Sequence, residues 1–284
     1  MFVVTGVSGN TGSVVADRLL AAGRKVRVVV RDAAKGAPWA ARGAEVAVAD
    51  LGDADALAAA LTGAEGAWLL VPPNVGAADV PAFQKGLVDA IVTALGRSKP
   101  GHVVFLSSVG AHLPAGTGPI VALHHAEPRI AAVAPNVTFV RAGFFMENWG
   151  GSLGALEQGI FPSFYTLDRP IDHVATADIG RVAAEALLGG PKGHQVIELA
   201  GPVAQTPVQV GAAVSALLGK DIPVVPAPIE SLVPMFTSFG MSASMAGLYD
   251  EMTRSMNAGT LVFEGTPVRG TVPVDAVLGR LLGR

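Results

Sequence analysis

The chain has 284 residues, half of them apolar and 15% charged, with a formal net charge of −3. That is ample material for a sizeable core, and so small a charge offers no electrostatic footprint for nucleic acid or anionic lipid as a main partner. There is no cysteine, which excludes disulfides, thiolate metal sites and cysteine nucleophiles and suits a reducing cytoplasm.

The opening Met1-Phe2-Val3-Val4-Thr5-Gly6 lacks the basic start and apolar core of a signal peptide and runs straight into a strand. No apolar run nears the roughly 20 residues of a bilayer span, so the expectation is a cytoplasmic protein without a membrane partner. Short β-branched runs predict strands at Phe2–Thr5, Lys25–Val30, Glu45–Ala49, Gly66–Val71 and His102–Ser107. Stretches of helical spacing alternate with them, at Thr11–Ala22, Ala33–Ala41, Ala54–Leu61 and Pro81–Gly96. In the first of these, Val14, Val15, Leu19 and Ala22 fall on one face. Strands apolar on both faces and separated by helices predict an α/β fold: a doubly wound, mainly parallel Rossmann sheet covered on both sides.

Further along, Val137–Arg141 predicts a sixth strand and Gln195–Ala200 a late one. Between them Thr176–Leu188 predicts a covering helix, with Thr176 as its cap and Asp178 in its positively polarised first turn. After Gly201 the texture changes. Pro202, Pro207, Pro223, Pro226, Pro228 and Pro234 punctuate short helices, and Met235–Met256 is rich in Met, Ser and Phe. The expected organisation is a nucleotide-binding core over 1–150, to which 171–200 returns, and a smaller substrate lobe made of 151–170 and 201–284. The Met-rich stretch suits an adaptable wall for an apolar small molecule, and it suits plain packed core equally well. Nothing in the pattern decides between a monomer and a homodimer.

The chemistry concentrates at Thr5-Gly6-Val7-Ser8-Gly9-Asn10-Thr11-Gly12, which follows the first strand directly and opens the first helix. In that context Gly6, Gly9 and Gly12 read as a turn through which the backbone approaches a pyrophosphate. The free amides at the helix mouth would bind the anion, with the helix dipole adding to the attraction. Ser8, Asn10 and Thr11 offer side-chain donors. The second strand ends in Arg31 and Asp32. A carboxylate there would take a ribose 2′-hydroxyl, whereas an arginine would take a 2′-phosphate. Arg31 comes first and can form a bidentate clamp, which favours NADP(H) over NAD(H). Asp50 and Leu51 after the third strand would meet the adenine, Val71 and Pro72 after the fourth the nicotinamide ribose, and Ser107 and Ser108 end the fifth. All belong to the carboxyl edge of the sheet, where open α/β folds bind ligands.

With these residues in view, the chain resembles the NmrA-like branch of the atypical short-chain dehydrogenases. The likeness is carried by Thr5–Gly12, Val30-Arg31, Asp50-Leu51, Ser107-Ser108, the segment Arg141–Asn148 and the segment Val174–Gly180. It implies an NAD(P)-binding protein among reductases of quinones and dyes and NADP-sensing regulators. It also implies that Gly143, Phe144 and Phe145 sit near the nicotinamide, with the C-terminal lobe closing over the substrate.

Short-chain dehydrogenases usually protonate their substrate through a Tyr-x-x-x-Lys pair on the helix after the fifth strand. Here the only tyrosines are Tyr165 and Tyr249, neither followed by lysine at that spacing, and the helix in question carries His124, His125 and Glu127. His124 or His125 could substitute as donor, since imidazole titrates near neutrality, with His124 the candidate for the nicotinamide pocket and Ser108 the expected orienter of a carbonyl. The expected function is NADPH-dependent reduction of a small, apolar, electron-poor acceptor by direct hydride transfer. The alternative is a non-catalytic NADP(H) sensor acting through a protein partner. No His/Asp/Glu set has metal-ligand spacing, and no Gly-x-Ser-x-Gly elbow supports a hydrolase.

Overall fold

The computed structural model describes all 284 residues. Its first half alternates β1 (Phe2–Thr5), α1 (Asn10–Ala21), β2 (Val26–Val30), α2 (Ala33–Ala40), β3 (Glu45–Val48), α3 (Ala54–Leu61), β4 (Gly66–Leu69), α4 (Val80–Ser98), β5 (Val103–Ser108), α5 (Val121–Val133) and β6 (Val137–Ala142). Then follow β7 (Phe144–Phe145), α6 (Gly150–Leu153), β8 (Phe161–Ser163), β9 (His173–Val174), α7 (Thr176–Leu188) and β10 (His194–Ala200). The last stretch holds α8 (Pro207–Leu218), β11 (Val224–Pro226), α9 (Leu232–Ser238), α10 (Ala243–Ala258), β12 (Val268–Arg269) and α11 (Val274–Leu281). No helix is long and apolar enough to cross a membrane.

Aspartate side chains start α2, α3 and α4. Asp32 accepts from the Ala34 amide at 2.9 Å, Asp53 from Asp55 and Ala56, each at 3.0 Å, and Asp79 from Ala82 at 2.9 Å, so each satisfies amides that have no partner within the helix. The eight-stranded main sheet runs β12-β10-β6-β5-β4-β1-β2-β3, with every pair parallel. Strand order reverses between β1 and β4, and that reversal opens a crevice beyond their carboxyl ends.

Alternation along the strands builds a core on each face. Val4, Val28, Val104 and Val140 face α1 and α7, while Val3, Val29, Leu69 and Phe105 face α3, α4 and α5. A third core joins Met146, Trp149 and Phe161 to Val210 and Val214 of α8 and Leu278 of α11.

Three local expectations change. Ala22 is exposed, and α1 buries Thr11, Gly12, Val15, Ala16 and Leu19 instead, a stripe rotated toward α7. Thr176 is the first residue of α7 rather than its cap. Its hydroxyl donates to Glu147 at 2.6 Å and its amide to the same carboxylate at 3.1 Å, so a carboxylate distant in sequence covers the helix start. Residues 201–284 do not all stay apart from the core. Val268 and Arg269 pair with Leu199 and Ala200 in the main sheet, and α10 folds back onto Gly118–Ile120 just before α5.

Candidate functional site

The crevice at the strand-order reversal holds a cleft of about 340 Å³. At its floor the β1–α1 turn is drawn tight. Gly6 has φ +66°, and the Gly9 amide donates to the Gly6 carbonyl at 2.9 Å. A β-carbon on Gly12 would lie 2.5 Å from the Gly6 oxygen and 2.6 Å from the Thr5 oxygen, so α1 sits directly on the turn. No side chain caps this helix, and the amides of Asn10, Thr11 and Gly12 find no acceptor within the chain. Thr11 and Gly12 are buried. Buried donors without acceptors are costly, and an anion at the helix mouth satisfies them while meeting the positive end of the dipole. The cradle therefore fits a dinucleotide diphosphate, with Ser8 exposed at its rim.

At the end of β2, Arg31 is exposed and engaged in no hydrogen bond or ion pair, whereas the Asp32 carboxylate is committed to the α2 amide. Of the two residues that could face the adenosine ribose, only the cation is free, a state that suits a 2′-phosphate. Asp50 accepts from the Gly52 amide at 2.7 Å and is exposed, and Leu51 packs half-buried on the core under α3 and α4.

Asn10, Thr11, Val71, Ser107, Ser108 and Thr176 line the cleft, with Pro72 half-buried beside Val71. Ser107 Oγ donates to Glu127 Oε1 at 2.6 Å. Glu127 also takes two bonds from Arg141, at 3.0 and 2.7 Å, and Arg141 continues to Glu264. The hydrogen bonds to Glu127 hold the Arg141 guanidinium above its ordinary range, so the network is a fixed, charged brace behind the cleft. Ser107 is committed to it, whereas the Ser108 hydroxyl has no partner within the chain.

Leu106, Ile120, Leu123, Phe145 and Met245 give the same cleft apolar walls, and Gln84 and Tyr249 are among its polar lining residues. Tyr249 was not singled out by sequence reasoning, although Met245 and Tyr249 stand one turn apart on α10. Burial pushes its phenol above the ordinary range, keeping it a neutral hydrogen-bond donor.

Two candidates lie elsewhere. His124 is absent from the cleft lining, and its Nδ1–H donates to the Ala111 carbonyl at 2.9 Å; the turn of α5 that reaches the cleft presents Leu123. Phe144 points away from the cleft, into edge-to-face contact with Trp149 and Tyr165 at 5.5 and 5.2 Å, leaving Phe145 as the phenylalanine of this pair at the site. The backbone alternation of β7 sends the two rings to opposite sides. Gly143 lies against the Asp172 carbonyl, where a β-carbon would collide, so backbone packing by itself accounts for glycine there.

A family model described as the NmrA-like family matches residues 1–261. The chain is 29% identical over 256 residues to an NAD(P)H azoreductase of Xenophilus azovorans, covering 89% of this chain and 86% of that protein. It is 28% identical over 270 residues to quinone oxidoreductase 2 of Escherichia coli, covering 88% and 91%. Among solved structures, an NADPH-dependent quinone oxidoreductase of Escherichia coli complexed with NADPH superposes with a TM-score of 0.80 at 24% identity, covering 100% of this chain and 95% of that one. Triphenylmethane reductase of Citrobacter sp. gives 0.80 at 19% identity, covering 100% and 99%.

Proposed function

The chain belongs to the NmrA-like family, and from that premise we propose that it is an NAD(P)H-dependent oxidoreductase that reduces a small, apolar, electron-poor acceptor. The carrying observation is the set of acceptor-free amides at Asn10, Thr11 and Gly12, opening into the cleft that Ser108, Phe145 and Met245 line. A diphosphate seated there borders a cavity that also has apolar walls. The similar proteins named as azo and quinone reductases support the same reading.

When bound, the reduced nicotinamide supplies a hydride. The chain does the rest. The amides of α1 hold the diphosphate, Arg31 selects the 2′-phosphate, and Ser108 offers its uncommitted hydroxyl to a carbonyl or azo nitrogen. Leu123, Phe145 and Met245 exclude water from the acceptor, which strengthens every polar contact made there. The Glu127–Arg141 brace keeps Ser107, and with it the end of β5, in place.

The test is oxidation of NADPH with a panel of quinones and azo compounds, together with calorimetry of NADPH and NADH binding. Turnover with NADPH preferred is the expected result. Absence of binding by either coenzyme would remove the reading altogether. Tight binding without turnover on the whole panel would instead support a sensor, the alternative raised by the missing Tyr-x-x-x-Lys pair.

A further inference from the structure

Hydride delivery to a quinone leaves negative charge on oxygen, so some group must supply a proton. The hydroxyls of the cleft differ in their availability. Ser107 donates to Glu127, and Thr176 donates to Glu147. Asn10 and Gln84 carry amides, which are not acids at neutral pH. His124 lies outside the lining. That leaves Thr11, Ser108 and Tyr249, and a phenol, with an ordinary pKa of about 10, is far more acidic than either alcohol.

The helix that carries Tyr249 is held firmly against the nucleotide-binding core. At its start the Ser242 amide donates to the Val75 carbonyl at 2.8 Å, and Ser244 Oγ accepts from the Val80 amide at 3.1 Å. In the middle, Gly118 approaches the Leu248 carbonyl so closely that no β-carbon would fit. Near its end Ser255 Oγ donates to the Gly116 carbonyl. The Tyr249 ring is fixed in turn by Phe236, edge to face, at 5.8 Å and 88°. Its phenol bonds to nothing in the chain; the Thr253 hydroxyl that lies nearby donates to the Tyr249 backbone carbonyl. A rigidly mounted, uncommitted donor in a cleft also lined by Leu123, Phe145 and Met245 is an arrangement for meeting one polar atom of a ligand.

We propose that Tyr249 is the catalytic proton donor to the acceptor, supplied by the C-terminal lobe instead of by α5. This rests on the reductase reading and deepens it. With a quinone, the C–H bond of the dihydronicotinamide breaks with its electron pair, which reduces the quinone by two electrons and oxidises the nicotinamide by two. The resulting quinol oxyanion takes the proton from the Tyr249 O–H. Water entering the cleft returns a proton to the phenolate once product leaves. Burial, which holds the phenol neutral, keeps this proton in place until charge develops on the acceptor.

Tyr249→Phe retains the ring and its contact with Phe236. It should leave NADP⁺ affinity, measured by calorimetry, unchanged. Menadione affinity in the presence of NADP⁺ should fall about 3- to 10-fold, the worth of one neutral hydrogen bond. Turnover of menadione should fall about 100-fold or more, as for loss of a general acid. Malachite green, a triarylmethane cation discharged by hydride alone, needs no proton and should be reduced within about twofold of the wild-type rate. Equal losses with menadione and the dye, or no loss with menadione, would overturn the proposal while leaving the reductase reading intact. Should the wild type refuse the dye, the affinity measurement decides: unchanged menadione affinity overturns the assignment. A wild type that oxidises NADPH with neither acceptor removes the reductase reading and the donor with it.

Discussion

Arg31 shows how one residue can settle a choice that its neighbour leaves open. Arg31 and Asp32 are adjacent, and either could face a ribose; the structure spends the carboxylate on the Ala34 amide and leaves the guanidinium free. Arg31→Ala is therefore expected to weaken NADPH about 10- to 100-fold, the worth of roughly 1.5–3 kcal/mol in charge-assisted bonds, with NADH little changed. Calorimetry of both coenzymes checks this, and an unaltered NADPH/NADH ratio would remove Arg31 from the site. His124 and Tyr249 show the converse. The histidine sits on the helix where a donor is usual, yet its imidazole is tied to Ala111. The tyrosine comes from a remote helix and reaches the cleft. A helix pattern tells which residues share a face but not which neighbouring element that face will meet.

At the scale of elements, the strands and helices of the first half follow their periodicity closely because each pattern is local, and α2, α3 and α4 each start on their own Asp. The disagreement at α7 has a tertiary cause. Glu147, on the segment after β7, occupies the place at the helix mouth that the Thr176 side chain was expected to take. α7 packs against α1 at Gly180, where a β-carbon would lie 2.5 Å from the Val14 β-carbon and 2.9 Å from the Thr11 carbonyl. Gly180→Ala should therefore push the two helices apart, at about 1–3 kcal/mol of overpacking. With the diphosphate held by the α1 amides as proposed, NADPH affinity should fall with it. Urea unfolding and calorimetry on one variant read both effects; a lowered urea midpoint with full NADPH affinity would show that the cradle does not depend on this packing.

Over the whole molecule, the third core stitches segments on either side of α7 and β10 into one lobe, and His173 lies within it. The ring is fully buried, receives the Trp149 indole N–H at 3.5 Å and donates to Gln205 at 3.0 Å. Burial lowers its pKa below the ordinary 6.5, against a smaller opposing effect of the Gln205 bond. Between the lowered folded value and 6.5 the unfolded chain binds more protons than the native one, so stability falls as pH drops through that window and is complete above it. His102, also buried and lowered, acts in the same direction. Urea unfolding at pH 7.5 and pH 5 should show this loss, and His173→Gln should make it smaller without abolishing it. An identical pH dependence in the variant would exclude His173 as a contributor.

The sequence by itself determined the parallel α/β sheet and the tight glycine turn into α1, because strand alternation and the glycine spacing around α1 act over a few residues. Only the tertiary structure decided what lines the cleft. The cleft brings Ser108, Leu123, Phe145 and Tyr249 together from four separate elements, and the return of β12 and α10 to the core sets their meeting. That return depends on close backbone approaches and on carboxylates that cap distant amides, contacts whose partners lie too far apart along the chain to leave any periodic trace in it.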